Sequence, residues 1–285
     1  MANAGVEPVV SAAWLKAHLG EANLQVIDGS WHLPVRKRDA AAEYAAGHIP
    51  GAIPLDIDTV ADPAPPPPGR MLPSAERFAE QVGLLGLRPD AHLVVYDAVG
   101  MYSSARVWWM FRTFGHRAIS VLEGGLPAWN AANGPLEAGA PKRRDAVTWP
   151  LRPANQGVRD WRAVLRNIDT REVQLVDVRP PEQFRGSTAA NYPGVRDGHI
   201  PGAISLPRNE FLLPNDMFPP PETIEKAIRK AGVDPDRPII ATCGSGVTAC
   251  ILALALELTG RQPCAVYDGS WEEWGHRPDL PATTD

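Results

Sequence analysis

Cys243-Gly244-Ser245-Gly246-Val247-Thr248 combines a thiol, two glycines and two hydroxyls in six residues, a set that suits nucleophilic sulfur chemistry. The segment separates the β-branched run Ile239-Ile240-Ala241 from an apolar stretch, Val247 to Thr259. A buried strand, a turn and a core helix closed by Gly260 are therefore predicted in that order. In an open α/β sheet, ligands gather at the carboxyl ends of strands. A helix N-terminus placed there presents unpaired backbone N–H groups. A thiolate among such donors is stabilised by them and by the helix dipole. Gly244 and Gly246 permit the backbone angles that make several N–H groups converge, while Ser245 and Thr248 add hydroxyl donors. Such a cup suits a thiolate and a persulfide anion equally. The other thiols, Cys250 inside the apolar stretch and Cys264 just before a strand-like run, read as small buried hydrophobes.

The remaining composition narrows the partners. The chain has 285 residues, a net charge of −5, 44% apolar and 21% charged residues, enough for two ordinary domains with full cores. Acidic and basic residues are interspersed, and Lys142-Arg143-Arg144 reads as a solvated linker, so no nucleic-acid partner is expected. Residues 1–10 lack a basic segment followed by an apolar run, so no secretory leader is expected. The apolar stretch Ala249 to Leu256 falls far below the roughly 20 residues of a membrane span, so no membrane partner is expected. Three cysteines form neither a C-x-x-C pair nor an even disulfide framework, which points to a reducing compartment and a cytoplasmic location. Nothing clusters with metal-ligand spacing, and neither a metal nor an organic cofactor is expected.

The elements that must position Cys243 are duplicated. Gly47-His48-Ile49-Pro50-Gly51-Ala52-Ile53 recurs unchanged as Gly198-His199-Ile200-Pro201-Gly202-Ala203-Ile204. Leu24–Asp28 pairs with Leu175–Val178, His92–Asp97 with Pro238–Cys243, and Val121–Gly125 with Val266–Ser270. Short β-branched runs alternate with helical patterns in each half, which predicts an α/β fold with mainly parallel sheets flanked by helices. Residues 1–134 form the first domain, 135–157 the linker and 158–285 the second domain. A proline run at 65–68 reads as a stiff surface loop within the first half. The helix expected at Ser103–Phe114 carries Trp108, Trp109 and Phe111 as core side chains. Asp97 stands where Cys243 stands, and a carboxylate cannot store transferable sulfur, so the first half is read as non-catalytic. His48 and His199 occur in both halves, with and without the cysteine, and read as structural turn residues. Asp177, Arg179 and Glu182 read as bracing residues.

These motifs, together with Asp28-Gly29-Ser30-Trp31, Arg106 to Arg112 and Tyr267-Asp268-Gly269-Ser270-Trp271, resemble the tandem rhodanese-domain sulfurtransferases, and among them the 3-mercaptopyruvate sulfurtransferases. The resemblance spans nearly the whole chain and implies two tandem rhodanese-like domains. It implies attack of Cys243 on a small-molecule sulfur donor, a Cys243 persulfide held by Gly244 to Thr248, and transfer to cyanide, a thiol or a thioredoxin-like protein. The uncharged loop tilts the donor toward 3-mercaptopyruvate, since thiosulfate-preferring relatives carry Arg and Lys there. By the same resemblance, adding Arg and Lys at Gly244 and Ser245 is expected to favour thiosulfate.

Two departures bear on donor binding. The family clamps the donor carboxylate with two arginines; here Gln183 precedes Phe184 and Arg185 follows it, while Arg196 lies after Tyr192-Pro193-Gly194-Val195 in place of the usual Pro-Glu-Pro-Arg. Arg185 and Arg196 are the candidate clamps, since a guanidinium fork suits a carboxylate. Where relatives place a relay histidine before Met-Leu-Pro, this chain has Arg70 before Met71-Leu72-Pro73, with Asp58 and Ser245 retained. Arg70 is expected to add positive potential over the pocket, which keeps thiosulfate as the alternative donor. A phosphatase-like reading fails because the position six after the cysteine is Ala249, not arginine. A non-enzymatic sulfur-relay module would not need the intact nucleophile.

Overall fold

In each half, short apolar strands stack side by side in parallel, and helices bury both faces. The computed structural model describes residues 6–63, 69–154, 157–261 and 263–284. They fall into two compact units, one drawn from Met1–Pro63, Leu72–Ala154 and Asn215–Met217, the other from Ala64–Met71, Asn155–Pro214 and Phe218–Asp285. The proline run at 65–68 lies outside the described residues, but Gly69, Arg70 and Met71 belong to the second unit rather than the first.

The first unit runs β1 (Val9–Val10), α1 (Ala12–His18), β2 (Leu24–Asp28), α2 (Ala40–Ala46), β3 (Ile53–Pro54), α3 (Ile57–Val60) and α4 (Ala75–Leu84). It continues with β4 (His92–Tyr96), α5 (Ser104–Thr113), β5 (Ile119–Leu122) and α6 (Gly125–Ala131). The second runs β6 (Val158–Arg159), α7 (Trp161–Thr170), β7 (Gln174–Asp177), α8 (Pro181–Arg185), β8 (Ile204–Ser205) and α9 (Pro221–Lys230). It ends with β9 (Ile239–Thr242), α10 (Ala249–Leu258), β10 (Ala265–Tyr267) and α11 (Ser270–His276).

The sheets have the same order, β1-β5-β4-β2-β3 and β6-β10-β9-β7-β8. Their central pairs are parallel and in matching register: Asp28 faces Tyr96 across β2 and β4, and Asp177 faces Thr242 across β7 and β9. All four β9 residues are buried, as a strand covered on both faces requires. Asp97 and Cys243 each follow the last residue of the central strand, so both lie at the carboxyl edge of a sheet.

The helix after each central strand is core. In α10 every residue from Ala249 to Leu256 is buried. Its regular turns begin two residues later than predicted, and Gly260, at φ +68°, follows the C-cap Thr259. In α5, Trp108, Trp109 and Phe111 are buried as expected, with the Arg106 guanidinium 4.6 Å from the Trp109 ring centroid.

The repeated heptapeptides play the same part twice. His48 Nδ1 lies 2.8 Å from the Tyr44 carbonyl, its ring stacked on Tyr44; His199 Nδ1 lies 2.8 Å from the Phe184 carbonyl, its ring stacked on Phe184. Both are buried, and their backbones pair with Glu137 and Thr283 respectively. Residues 134–154, read from composition as linker, pack on the first unit. Trp149 is buried there and donates its indole N–H to the Leu87 carbonyl, and the Val147 N–H donates to Gly83. Among the described residues no helix is long and apolar enough to cross a membrane.

Candidate active site

The Cys243 loop is clamped from below by the start of α11. The Cys243 N–H donates to Ser270 Oγ at 3.1 Å, and that hydroxyl donates to the Tyr267 carbonyl at 2.8 Å. The N–H of Trp271 donates to the Cys243 carbonyl at 3.0 Å, and that of Glu272 to the Gly244 carbonyl at 2.7 Å. Gly246 takes φ +76°, and a Cβ on it would run into the Asp268 carbonyl oxygen. Only glycine combines that left-handed turn with so close a backbone approach. The Cys250 thiol donates to the Gly246 carbonyl at 3.3 Å. The loop's carbonyls are thus held, and its shape is set from outside.

Its N–H groups point to a different use. Among the described residues, the N–H groups of Gly244, Ser245, Gly246, Val247 and Thr248 have no hydrogen-bond partner. Thr248, the N-cap of α10, makes no side-chain cap bond. The equivalent loop of the first unit carries its own occupant. Asp97 Oδ1 accepts from the N–H groups of Val99 and Gly100, and Oδ2 from those of Tyr102 and Ser104 and from the Ser104 hydroxyl, all at 2.7–3.0 Å. A strand end, a glycine turn and a helix start here make an anion cup, and in the first unit a carboxylate on the same chain fills it.

Cys243 is 1% exposed, while Gly244 and Thr248 of the same loop are partly exposed. Cys250 and Cys264 are buried thiols, and burial pushes that of Cys264 up to about 12, so it stays protonated and unreactive at neutral pH.

The charged candidates are placed less simply. Arg70, in the second unit, bends through φ +64° and pairs with Glu272, Nη2 to Oε2 at 3.1 Å, with both side chains about 10% exposed. Burial raises the Glu272 carboxyl above its usual range, and the Arg70 charge opposes that shift. The expected bare positive potential at Arg70 is therefore a matched pair, because the partner 202 residues away is a carboxylate. The Arg196 guanidinium donates to the Leu280 carbonyl at 2.5 Å, and its own carbonyl accepts from the Trp271 indole at 2.9 Å, so it ties the chain end to α11. Arg185 closes α8 with its side chain exposed. Asp58 lies in the first unit and accepts the Trp31 indole N–H at 2.8 Å. Asp177 and Arg179 form a buried pair at 2.7 Å, and Arg179 also donates to the Gly198 carbonyl and covers the Trp271 ring, as bracing residues do.

Two residues near the loop were not singled out by the sequence. Ser270 holds φ +50°, a costly angle for a residue with a Cβ, at the place where the first half has Gly125 at +53°. Its Oγ lies 4.0 Å from Cys243 Sγ. A serine in place of glycine only in the cysteine-bearing half was the available signal. Tyr192 lies over Gly244: a Cβ there would fall 2.9 Å from the phenol oxygen and 3.0 Å from Cε2. An arginine at position 244 must first displace that ring, so the expected simple gain in thiosulfate preference from an Arg-Lys pair does not follow from charge alone.

Known proteins share this sequence and fold. The rhodanese-like domain model matches residues 11–132 and 160–277. Human 3-mercaptopyruvate sulfurtransferase is 42% identical over 93% of this chain and 91% of its own length. Thiosulfate sulfurtransferase of Gallus gallus is 40% identical over 94% of this chain and 93% of its own. The crystal structure of SseA from Escherichia coli, described among the 3-mercaptopyruvate sulfotransferases, superposes with a TM-score of 0.84 at 36% identity, covering 93% of this chain and 99% of that one. The chain belongs to the rhodanese-like domain family, with two such domains in tandem, and is a sulfurtransferase.

Proposed function

We propose that the protein moves the sulfur of 3-mercaptopyruvate, through a persulfide on Cys243, to a thiophilic acceptor. The observation that carries this reading is the run of unpaired N–H groups from Gly244 to Thr248, taken with the equivalent loop of the first unit, whose donors hold the Asp97 carboxylate. In the first step the Cys243 thiolate attacks the donor's sulfur. The carbon–sulfur bond breaks, and its electron pair leaves with pyruvate as the enolate, which takes up a proton. The new Sγ–Sδ bond places a persulfide anion where the loop donors converge. In the second step a cyanide, small thiol or reduced thioredoxin-like protein attacks the outer sulfur, and the Cys243 thiolate is restored. Backbone donors fixed before reaction stabilise the anion without having to reorganise. The first domain, with Asp97 in the cup, acts as scaffold. Domains of 1–134 and 158–285, with 135–157 between them and its part up to Ala154 packed on the first domain, and a cytoplasmic location suited to three thiols complete the proposal.

Arg185 is the proposed partner of the donor carboxylate, since its guanidinium is exposed; Arg196 would have to release Leu280 first. That second engagement favours thiosulfate as the alternative donor, because it weakens the case for a two-arginine carboxylate clamp. Initial rates with each donor decide. The specificity constant for 3-mercaptopyruvate is expected to exceed that for thiosulfate, and double-reciprocal plots at several acceptor concentrations to be parallel. A preference for thiosulfate rejects the donor assignment, and intersecting lines reject the two-step transfer.

A further inference from the structure

We infer that Tyr192 is the specificity-determining residue of this site: its ring caps the mouth of the Cys243 loop, and its hydroxyl donates to the oxygen end of the incoming donor. This rests on the sulfurtransferase reading above and names the residue that selects the donor.

Three observations carry it. First, the phenol oxygen and Cε2 sit about 3 Å from where a Cβ on Gly244 would lie, and Gly244, next in the chain to the buried Cys243, is one of the two partly exposed residues of the loop. Second, the segment that carries Tyr192 is fastened in place. The His276 imidazole, on α11, lies between two carbonyls, Nε2 2.9 Å from that of Pro193 and Nδ1 2.6 Å from that of Glu272; Val195 closes on Gly275, and the Arg196 N–H donates to the Gly275 carbonyl. The same helix donates its Trp271 and Glu272 N–H groups to Cys243 and Gly244, so cap and loop share one support. Third, the nearby cations are engaged elsewhere, Arg70 by Glu272 and Arg196 by Leu280. A neutral phenol over Gly244, added to the Arg185 guanidinium proposed for the donor carboxylate, discriminates by hydrogen-bond geometry and by shape. It favours the planar, single-carboxylate end of an α-keto acid over the tetrahedral end of a dianionic sulfonate.

The test measures specificity constants for 3-mercaptopyruvate and thiosulfate in Tyr192→Phe and Tyr192→Ala, with Cys243 loading by each donor followed by intact mass. Tyr192→Phe keeps the cap and removes the hydroxyl, and is expected to raise KM for 3-mercaptopyruvate about tenfold at nearly unchanged kcat, the worth of one hydrogen bond to a charged group. Tyr192→Ala opens the mouth and is expected to shift the ratio of specificity constants at least tenfold toward thiosulfate. A ratio unmoved in both variants, with Cys243 still loading sulfur, overturns the role of Tyr192 alone. A wild-type protein that loads no sulfur from either donor overturns the sulfurtransferase reading and this inference together. Because the phenylalanine variant preserves the packing, it decides the question even if the alanine variant is unstable.

Discussion

Cys243→Ser is expected to lower sulfur transfer from either donor by at least ~10³-fold, the usual scale for removing an essential nucleophile. The substitution changes one atom at a site that is 1% exposed, and its backbone bonds to Ser270 and Trp271 do not involve the side chain. Stability is therefore expected to fall by no more than about 1–2 kcal/mol, measured by urea unfolding. Cys264→Ser serves as the control: that thiol is buried, held protonated, and bonded to the Ala265 carbonyl, and its loss is expected to leave turnover within about twofold. Activity retained in Cys243→Ser and lost in Cys264→Ser would move the chemistry to a different sulfur.

Gly246→Ala is expected to be nearly as damaging by a different route. At φ +76° an alanine is strained, by about 1–2 kcal/mol, and its Cβ meets the Asp268 carbonyl, a backbone group that cannot rotate away. Together these predict a loss of about 2–4 kcal/mol in stability. The loop must also shift to relieve the contact, and a displacement of about 1 Å at a reacting group costs on the order of 10²-fold in rate. Gly260→Ala separates the two effects, because Gly260 has φ +68° and nothing within 4 Å of its missing Cβ. It is expected to cost only about 1 kcal/mol and to leave turnover intact. Equal effects at the two glycines would mean that the Asp268 contact is without consequence.

Strand runs, the twin heptapeptides and the Cys243 loop were legible in the sequence because each is a local pattern. Ile239–Thr242 is apolar at nearly every position as a doubly covered parallel strand demands, and His48 and His199 lie buried in matching β-bridges, one stacked on Tyr44 and the other on Phe184. The duplication also made Asp97 comparable with Cys243, although only coordinates reveal that its carboxylate fills its loop. What stayed hidden depends on chain crossings that no spacing rule encodes. Arg70 finds Glu272 across 202 residues, and Arg196 turns to a backbone carbonyl at Leu280 rather than outward. Tyr192 meets Gly244, and the residues that follow it are tied to α11. A side chain's type told what it could bind, but its partner was set by packing of irregular segments.

Weighing the intact protein after exposure to 3-mercaptopyruvate, then mapping the modified peptide, shows which thiol carries the sulfur. A gain of one sulfur atom is expected, carried by the peptide containing Cys243, discharged by cyanide and absent from Cys243→Ser. A sulfur found on Cys250 or Cys264 instead, or turnover without any sulfur-loaded protein, would contradict it.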